Sequence, residues 1–395
     1  MIAGRVRCAL RARLGRVVGL AALAVSCASG LRVSDPAPRQ PADVAEIRFL
    51  GVGGFLIRVG DEAVMTSPMY SNPGLFDEAF TSIYPRADRI SRFHTKGAAA
   101  ADLSAVRAIV VGHAHYDHLM DVPYLLADSP KALVIGNTTM RNVLHAYTDP
   151  PASGIPREFP TPIPKIDENR LVALNDPADD RLDTRKCAGE NPSPDAPSNR
   201  SCMAYSNKKG KPYDVGLTIR ISGFCSRHPA QLKPIHQAPG CQPAPLTHLP
   251  VSISDYLEGE TLAYLIDFID PHTKKIRFRV YYQDAPSDGG FGQIPDDVLA
   301  EHPVNVALLC VGNWKAVENH DADCIVCNLR PDYVILGHWE NFFRPQNKRI
   351  LPAPLQSAGQ YQRLIERRMT EIHGPSGKDR VFMPNPQVLK VFTLK

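Results

Sequence analysis

Long apolar runs are missing from this chain. After residue 30 no stretch approaches the ~20 apolar residues that span a bilayer, which excludes a polytopic membrane protein. A glycine period is missing as well: Pro is abundant at 36 and Gly ordinary at 27, without a repeat, so collagen and repeat arrays are excluded. Basic surplus is absent once the N-terminus is set aside. The first 26 residues hold Arg5, Arg7, Arg11, Arg13 and Arg16 and no acid; taking those five from the 45 basic residues leaves 40 against 41 acidic ones, a net charge of −1. A protein that grips a polyanion keeps positive charge after processing, so nucleic acid is discounted as a partner. What the chain does have is material for a core. Hydrophobic residues make up 44% of its 395 positions, which excludes a disordered chain and allows two or three domains by length alone.

The N-terminus reads as an export signal. Its arginines lead into the apolar run Val17–Val25, too short to span a bilayer as a helix, and then Ser26-Cys27-Ala28. The pattern Leu23-Ala24-Val25-Ser26-Cys27 resembles a bacterial lipobox, with Ala24 where a larger aliphatic is usual. The expectation is a signal peptide over 1–26, a lipid on Cys27 and a tether over 27–44, leaving a lipoprotein anchored in the cell envelope and facing the periplasm. Ordinary cleavage near Ala28 is the alternative. Nine cysteines would become seven on maturation. In an oxidising compartment, spacing suggests the disulfides Cys187–Cys202, Cys225–Cys241 and, unless both are buried thiols on a helix, Cys324–Cys327. Cys310 ends the apolar run Val306–Cys310 and is expected to be a core thiol.

Strand-like alternation runs through Ala45–Val59 around Gly51, Gly53 and Gly54, and continues over Glu62–Thr66. Further strands are expected at Ala108–Val111, Lys131–Ile135, Gly216–Ser222, Thr261–Asp267, Lys275–Tyr282, Val304–Val311, Tyr333–Leu336 and Val388–Leu394. Helices are expected at Val122–Ala127 after a Pro, at Thr138–His145, near 317–329 and at Gln360–Ile372. Residues 148–214 are rich in Pro, Asp, Asn and Lys and read as an insertion within a domain over 45–395. Strands and helices alternate in both halves, an α/β or α+β layered pattern.

The chemistry concentrates in Gly112-His113-Ala114-His115-Tyr116-Asp117-His118, between a buried strand and a helix. Any one of these histidines is ordinarily a solvated or backbone-bonded side chain. Three imidazoles and a carboxylate in six residues are costly to bury unless a divalent metal partners them. On extended backbone, His113 and His115 can grip one ion, and Asp117 and His118 turn toward a second.

That string resembles the signature of the metallo-β-lactamase superfamily. The resemblance implies an α+β fold, a four-layer αββα sandwich of two mixed sheets with outer helices and metals at one edge. It also implies three more ligands, each just after a strand. His228 is the first candidate, with His236 and His248 as rivals. Asp284 is the second, as the carboxylate that bridges two metals; Asp288 is a weaker rival, and a turn-capping Asp the structural alternative. His338 is the third. Trp339, Phe342, Phe343 and Trp314, beside Asn313, are candidates to wall a substrate pocket, although aromatics there could equally be core. One departure stands out: many relatives carry Asp-Pro after the second strand, and this chain reads Thr66-Ser67-Pro68. Asp121 could orient the histidines in its place, or be a helix-start acid.

The resemblance therefore implies His113, His115 and His228 on one divalent ion, Asp117, His118 and His338 on another, and Asp284 between them. Nitrogen and oxygen donors without thiolate suit zinc best, and manganese and iron are compatible. Asp117 and Asp284 are the expected catalytic carboxylates. The implied reaction is hydrolysis of an ester, lactone or phosphodiester, in a small-molecule or lipid-like substrate, by a metal-bridging hydroxide. A bridging Asp argues against a true β-lactamase. The string His115–Leu119 and the last motif look closest to the branch of ascorbate 6-phosphate lactonases and N-acyl phosphatidylethanolamine phospholipase D enzymes. Alternatives are a single-iron thioester hydrolase or sulfur dioxygenase of the same fold, and a non-catalytic metal-binding envelope protein.

Overall fold

Alternating burial makes β1 (Val44–Gly51) a strand with one face in the core: Ala45, Ile47 and Phe49 are buried while Val44, Glu46 and Arg48 are not fully so. It turns through Gly51–Gly54 into β2 (Gly54–Val59), and β3 (Glu62–Thr66) continues the antiparallel meander. The aliphatic runs of β4 (Val106–Val110) and β5 (Leu133–Gly136), then the short β6 (Leu171–Ala173), add in parallel. β14 (Leu389–Thr393) closes the other edge, antiparallel to β1. The computed structural model describes residues 44–75, 82–151, 153, 155–174, 212–229, 238–287, 291–317 and 322–394.

The second sheet repeats the plan. β7 (Tyr213–Val215), β8 (Ile219–Cys225), β9 (Leu262–Ile269) and β10 (Ile276–Gln283) are antiparallel in turn. β11 (Val306–Cys310), β12 (Tyr333–Gly337) and β13 (Val381–Phe382) then add in parallel. Each sheet has seven strands. Their inner faces share one core, in which Phe49, Phe55 and Ile57 of the first sheet join Ile266, Val280, Leu308 and Leu336 of the second.

Helices cover the outer faces. α1 (Ala87–Ile90), α2 (Tyr116–Leu119), α3 (Val122–Asp128) and α4 (Thr138–Leu144) pack on the first sheet, where Leu125, Leu126, Met140 and Val143 meet Leu56, Met65, Ile109 and Val134. α5 (Asp296–Glu301), α6 (Cys324–Leu329) and α7 (Ala358–His373) lie with the second. Ala358, Tyr361, Ile365 and Met369 form the buried stripe of α7, at helical spacing. The αββα arrangement expected from the His-rich string is the fold that forms.

Residues 1–43, with Cys27, lie outside the described residues, as do 175–211 with Cys187 and Cys202. The described flanks of the expected insertion include regular structure. Leu171–Ala173 and Tyr213–Val215 each form an edge strand, which needs only one hydrogen-bonded neighbour. The helix expected near 317–329 is confined to Cys324–Leu329 in the described residues. The expected disulfides Cys225–Cys241 and Cys324–Cys327 are not joined. Cys324 and Cys327 are three apart on α6, a spacing that holds Cβ atoms ~5–6 Å apart, beyond disulfide reach. Cys241 is disulfide-bonded, but not to Cys225. Cys310 is a buried thiol, as expected.

Candidate metal centre

The site grows from strand ends. β4 delivers Gly112–Ala114, which the second sheet pins in place: Leu262 N–H donates to Gly112 O at 2.8 Å and Ala114 N–H to Glu258 O at 2.9 Å. A side chain at 112 would overlap the Asp284 carboxylate, so only glycine lets the two segments approach. His115 then precedes the single turn of α2, which carries Asp117 and His118. His228 follows β8, Asp284 follows β10 and His338 follows β12. Loops at the ends of parallel strands gather polar groups that neither sheet can pair, at the edge where both sheets stop.

These residues converge. The donor atoms of His113, His115 and His228 lie within 4.8 Å of one another, and so do those of Asp117, His118 and His338. A third set, His113, His118 and Asp284, links the two. Asp284 Oδ1 is 3.1 Å from His113 Nδ1, and its Oδ2 is 3.6 Å from His118 Nδ1. Asp117 Oδ2 is 3.1 Å from His338 Nε2 and 3.5 Å from His118 Nε2. Ring centroids of His113 stand 4.6 Å from His115, 4.4 Å from His118 and 4.7 Å from His228. All seven sequence-selected residues therefore meet in one cluster. The rivals do not join it: His248 is exposed and pairs with Asp255, while His236 and Asp288 lie outside the described residues.

Burial sets the protonation of the cluster. It drives His113 well below the usual histidine range, with His118, His115 and His228 adding to the effect. It brings His115 to about 4, again with help from His228. For His118, burial outweighs the attraction of Asp117 and Asp284. His338 goes the other way: burial opposes its charge, but the hydrogen bond to Asp117 raises it. Burial alone would raise Asp117, yet His118 and His338 hold it well below the carboxylate range. Asp284 is raised by burial, which His118 and His228 offset only in part. Neutral imidazoles with free lone pairs are the form that binds a cation.

The residues present fit a metal. Five buried atoms have no hydrogen-bond partner: His113 Nε2, His115 Nε2, His118 Nδ1, His338 Nδ1 and Asp284 Oδ2. Such atoms cost about 1–3 kcal/mol each when left bare, and a divalent cation removes that cost. Orientation is provided from behind: His228 Nδ1 lies 2.7 Å from Pro229 O, and His115 bonds the Ala238 carbonyl.

Other side chains near the cluster have contacts of their own, and Asp121 stands at the start of α3. The Asp121 carboxylate accepts from Tyr70 N at 2.7 Å, Ser71 N at 2.8 Å and the Ser71 hydroxyl, so it braces the 70–71 loop. At the Asp-Pro position, Thr66 Oγ1 accepts from Phe55 N and donates to Gly53 O, and Ser67 Oγ donates to Val110 O. Of the proposed pocket aromatics, Phe342 stands 5.0 Å from the His338 ring, and Phe343 packs on Phe342 at 4.5 Å. Trp339 is buried and donates to Pro384 O; Trp314 donates to Gln356 O and packs on Tyr361 of α7. Both tryptophans are thus spent on packing. Sequence reading missed Gly53, Tyr282 and Glu340. A methyl at 53 would come within 2.7 Å of His118 Nδ1 and 2.9 Å of the Tyr282 hydroxyl. The glycine cluster 51–54 was the available signal for a close approach.

Known proteins resemble this chain in part. The metallo-beta-lactamase superfamily model matches residues 80–195, the stretch that holds the His-rich string. No curated relative matches the sequence. Among solved structures, the chain is similar to the metallo hydrolase Igni18 of Ignicoccus hospitalis, at 15% identity and TM-score 0.45, covering 89% of this chain and 100% of that one. It is similar to the metallo-beta-lactamase fold protein YhfI of Bacillus subtilis, at 10% identity and TM-score 0.42, with 89% and 100% covered. It is also similar to CmlA, a diiron beta-hydroxylase of Streptomyces venezuelae, at 13% identity and TM-score 0.43, with 91% of this chain and 55% of that one covered. By its two-sheet architecture and the superfamily match, the chain is a metallo-β-lactamase-fold protein.

Proposed function

We propose that this protein is a metal-dependent hydrolase that holds two divalent cations and cleaves an ester, lactone or phosphodiester. The observation that carries the reading is the position of Asp284, one oxygen toward His113 and the other toward His118, between two histidine-rich donor sets. His113, His115 and His228 would hold one cation, Asp117, His118 and His338 the other, with Asp284 common to both. Two such ions supply Lewis acidity and lower the pKa of bound water toward neutrality. The chain's own residues do the rest. Asp117, kept ionised by His118 and His338, can accept a hydrogen bond from the attacking water and orient it. Phe342 and Phe343 present an apolar wall beside His338, where the uncharged part of a substrate would rest. Hydrolysis adds the elements of water across the scissile bond, and the leaving oxygen departs protonated.

The His115–Leu119 string favours the branch of lactonases and phospholipase D enzymes described above, and the all-nitrogen-and-oxygen donor set favours zinc. Export and lipid attachment at Cys27, over a tether to residue 44, form part of the same proposal and rest on the N-terminal pattern. Elemental analysis of the purified mature protein, with turnover of p-nitrophenyl phosphodiesters and lactones before and after chelation, tests it. Two zinc ions per chain and chelator-sensitive turnover are expected. One iron per chain with oxygen consumption would favour the sulfur dioxygenase or thioester hydrolase reading. Bound metal with no turnover across a broad panel would favour a metal-binding envelope protein.

A further inference from the structure

Two residues beside the cage adopt a backbone conformation that their side chains disfavour. Val52 has φ 54° and His338 has φ 55°. Left-handed backbone is costly for any residue with a Cβ, and most so for a β-branched one. The two are bonded to each other: His338 N–H donates to Val52 O at 2.8 Å. Val52 N–H in turn donates to Glu340 Oε1. Gln346 adds a grip next door, its Nε2 donating to Leu50 O at 2.7 Å. These bonds tie the β1–β2 turn of the first sheet to the chain leaving β12 in the second.

What the turn touches gives the tie its meaning. Gly53 rests on His118 and Tyr282 so closely that a methyl would sit 2.7 Å from His118 Nδ1. One end of the tie is thus the backbone of His338, and the other lies against His118. Both belong to the donor set of Asp117, His118 and His338. Glu340 is buried, and its Oε2 has no hydrogen-bond partner. The Glu340 carboxylate is held by backbone N–H groups of Val52 and of its own 339–340 segment, and an amide oxygen would accept from Val52 N–H without the cost of burying a charge. Burial at this price, beside two strained residues, is unexplained by packing alone.

We propose that Glu340 is a positioning residue: through the Val52–His338 tie it seats the 51–54 turn on His118 and fixes the spacing of His118 and His338. The inference rests on the metal-cage reading above. The test compares the full chain with Glu340→Ala, Glu340→Gln and Gly53→Ala. Zinc affinity would be measured by competition with a chromophoric chelator, and the cobalt-substituted visible spectrum recorded with far-UV circular dichroism as the folding control.

Wild type should bind two ions. Glu340→Ala should lose about ten- to hundredfold in affinity for one ion only, with an altered cobalt spectrum and unchanged circular dichroism. Glu340→Gln, which can still accept from Val52 N–H, should stay within about threefold. Gly53→Ala keeps Glu340 but lifts the turn off His118, so it should reproduce the loss. Should Glu340→Ala fail to fold, the other two variants decide. Two ions held at wild-type affinity by Glu340→Ala, or by Gly53→Ala, would overturn the proposal. A wild-type chain that binds no zinc would instead overturn the cage itself, and the positioning role with it.

Discussion

Asp121 illustrates how much one carboxylate can do away from the chemistry. It accepts three hydrogen bonds from the 70–71 loop and contacts no histidine through them. Asp121→Ala should therefore cost about 2–3 kcal/mol in chemical denaturation while metal content stays at the wild-type value. Loss of metal would restore the orienting role that sequence suggested. The opposite behaviour is expected of the cage: His115→Ala and Asp284→Ala should each lose metal and activity with the fold retained, as read by elemental analysis and circular dichroism. His94 sets a different test. It is fully buried, neither ring nitrogen has a hydrogen-bond partner, and burial lowers it to about 4. The Tyr70 ring packs against it at a tilt, 5.7 Å between centroids, and the Asp128 carboxylate is 3.9 Å away. The unfolded imidazole takes up its proton near 6.5 and the folded one only near 4, so protons favour the unfolded chain between those values. Stability should fall as pH drops through that window, with His94 contributing on the order of 3 kcal/mol. In metal-free protein, His94→Leu should shrink the difference in melting temperature between pH 7.5 and pH 4.5; an unchanged difference would assign the acid sensitivity elsewhere. None of this was readable from residue type, since His94 stands in no motif and only the fold buries it.

At the scale of elements, legibility followed the aliphatic runs. β4, β10 and β12 are continuous enough to be seen in sequence, and each is followed by a residue of the cluster, so the places of His113, Asp284 and His338 at strand ends were legible. Element ends were less legible. The strand expected over Val304–Val311 forms over Val306–Cys310, and the one over Gly216–Ser222 starts only at Ile219, after a turn over 216–218 that joins it to the edge strand β7. A short strand such as β6 draws its pairing from β5, more than thirty residues earlier, which local patterning does not encode. The Val52–His338 tie was invisible for the same reason, because a left-handed valine has no compositional mark. Helix α7 was legible from its period. Ile365 is fully buried in its stripe, so Ile365→Ala should destabilise by about 2–4 kcal/mol, measured as a lower denaturation midpoint at constant slope. Metal content should not change, since α7 contributes no donor.

For the molecule as a whole, the cage lies where both sheets end, so cation binding should cross-brace the sandwich. Chelation should lower the melting temperature. Each ion at a hundred times its dissociation constant contributes ~2.7 kcal/mol to the folded state, and calorimetry with and without chelator reads the sum. An unaltered transition would mean the cations, if bound, are not coupled to folding.

The pairing of β14 with β1, Val44 opposite Thr393, has a consequence for biosynthesis. A ribosome must make residues 389–393 before the leading strand of the first sheet finds its outer partner. Until then a row of backbone donors and acceptors along Val44–Gly51 stays open to any passing strand. Chains released early, short of residue 389, should clump rather than merely lose activity, and a circular permutant that joins the two adjacent ends should escape that hazard.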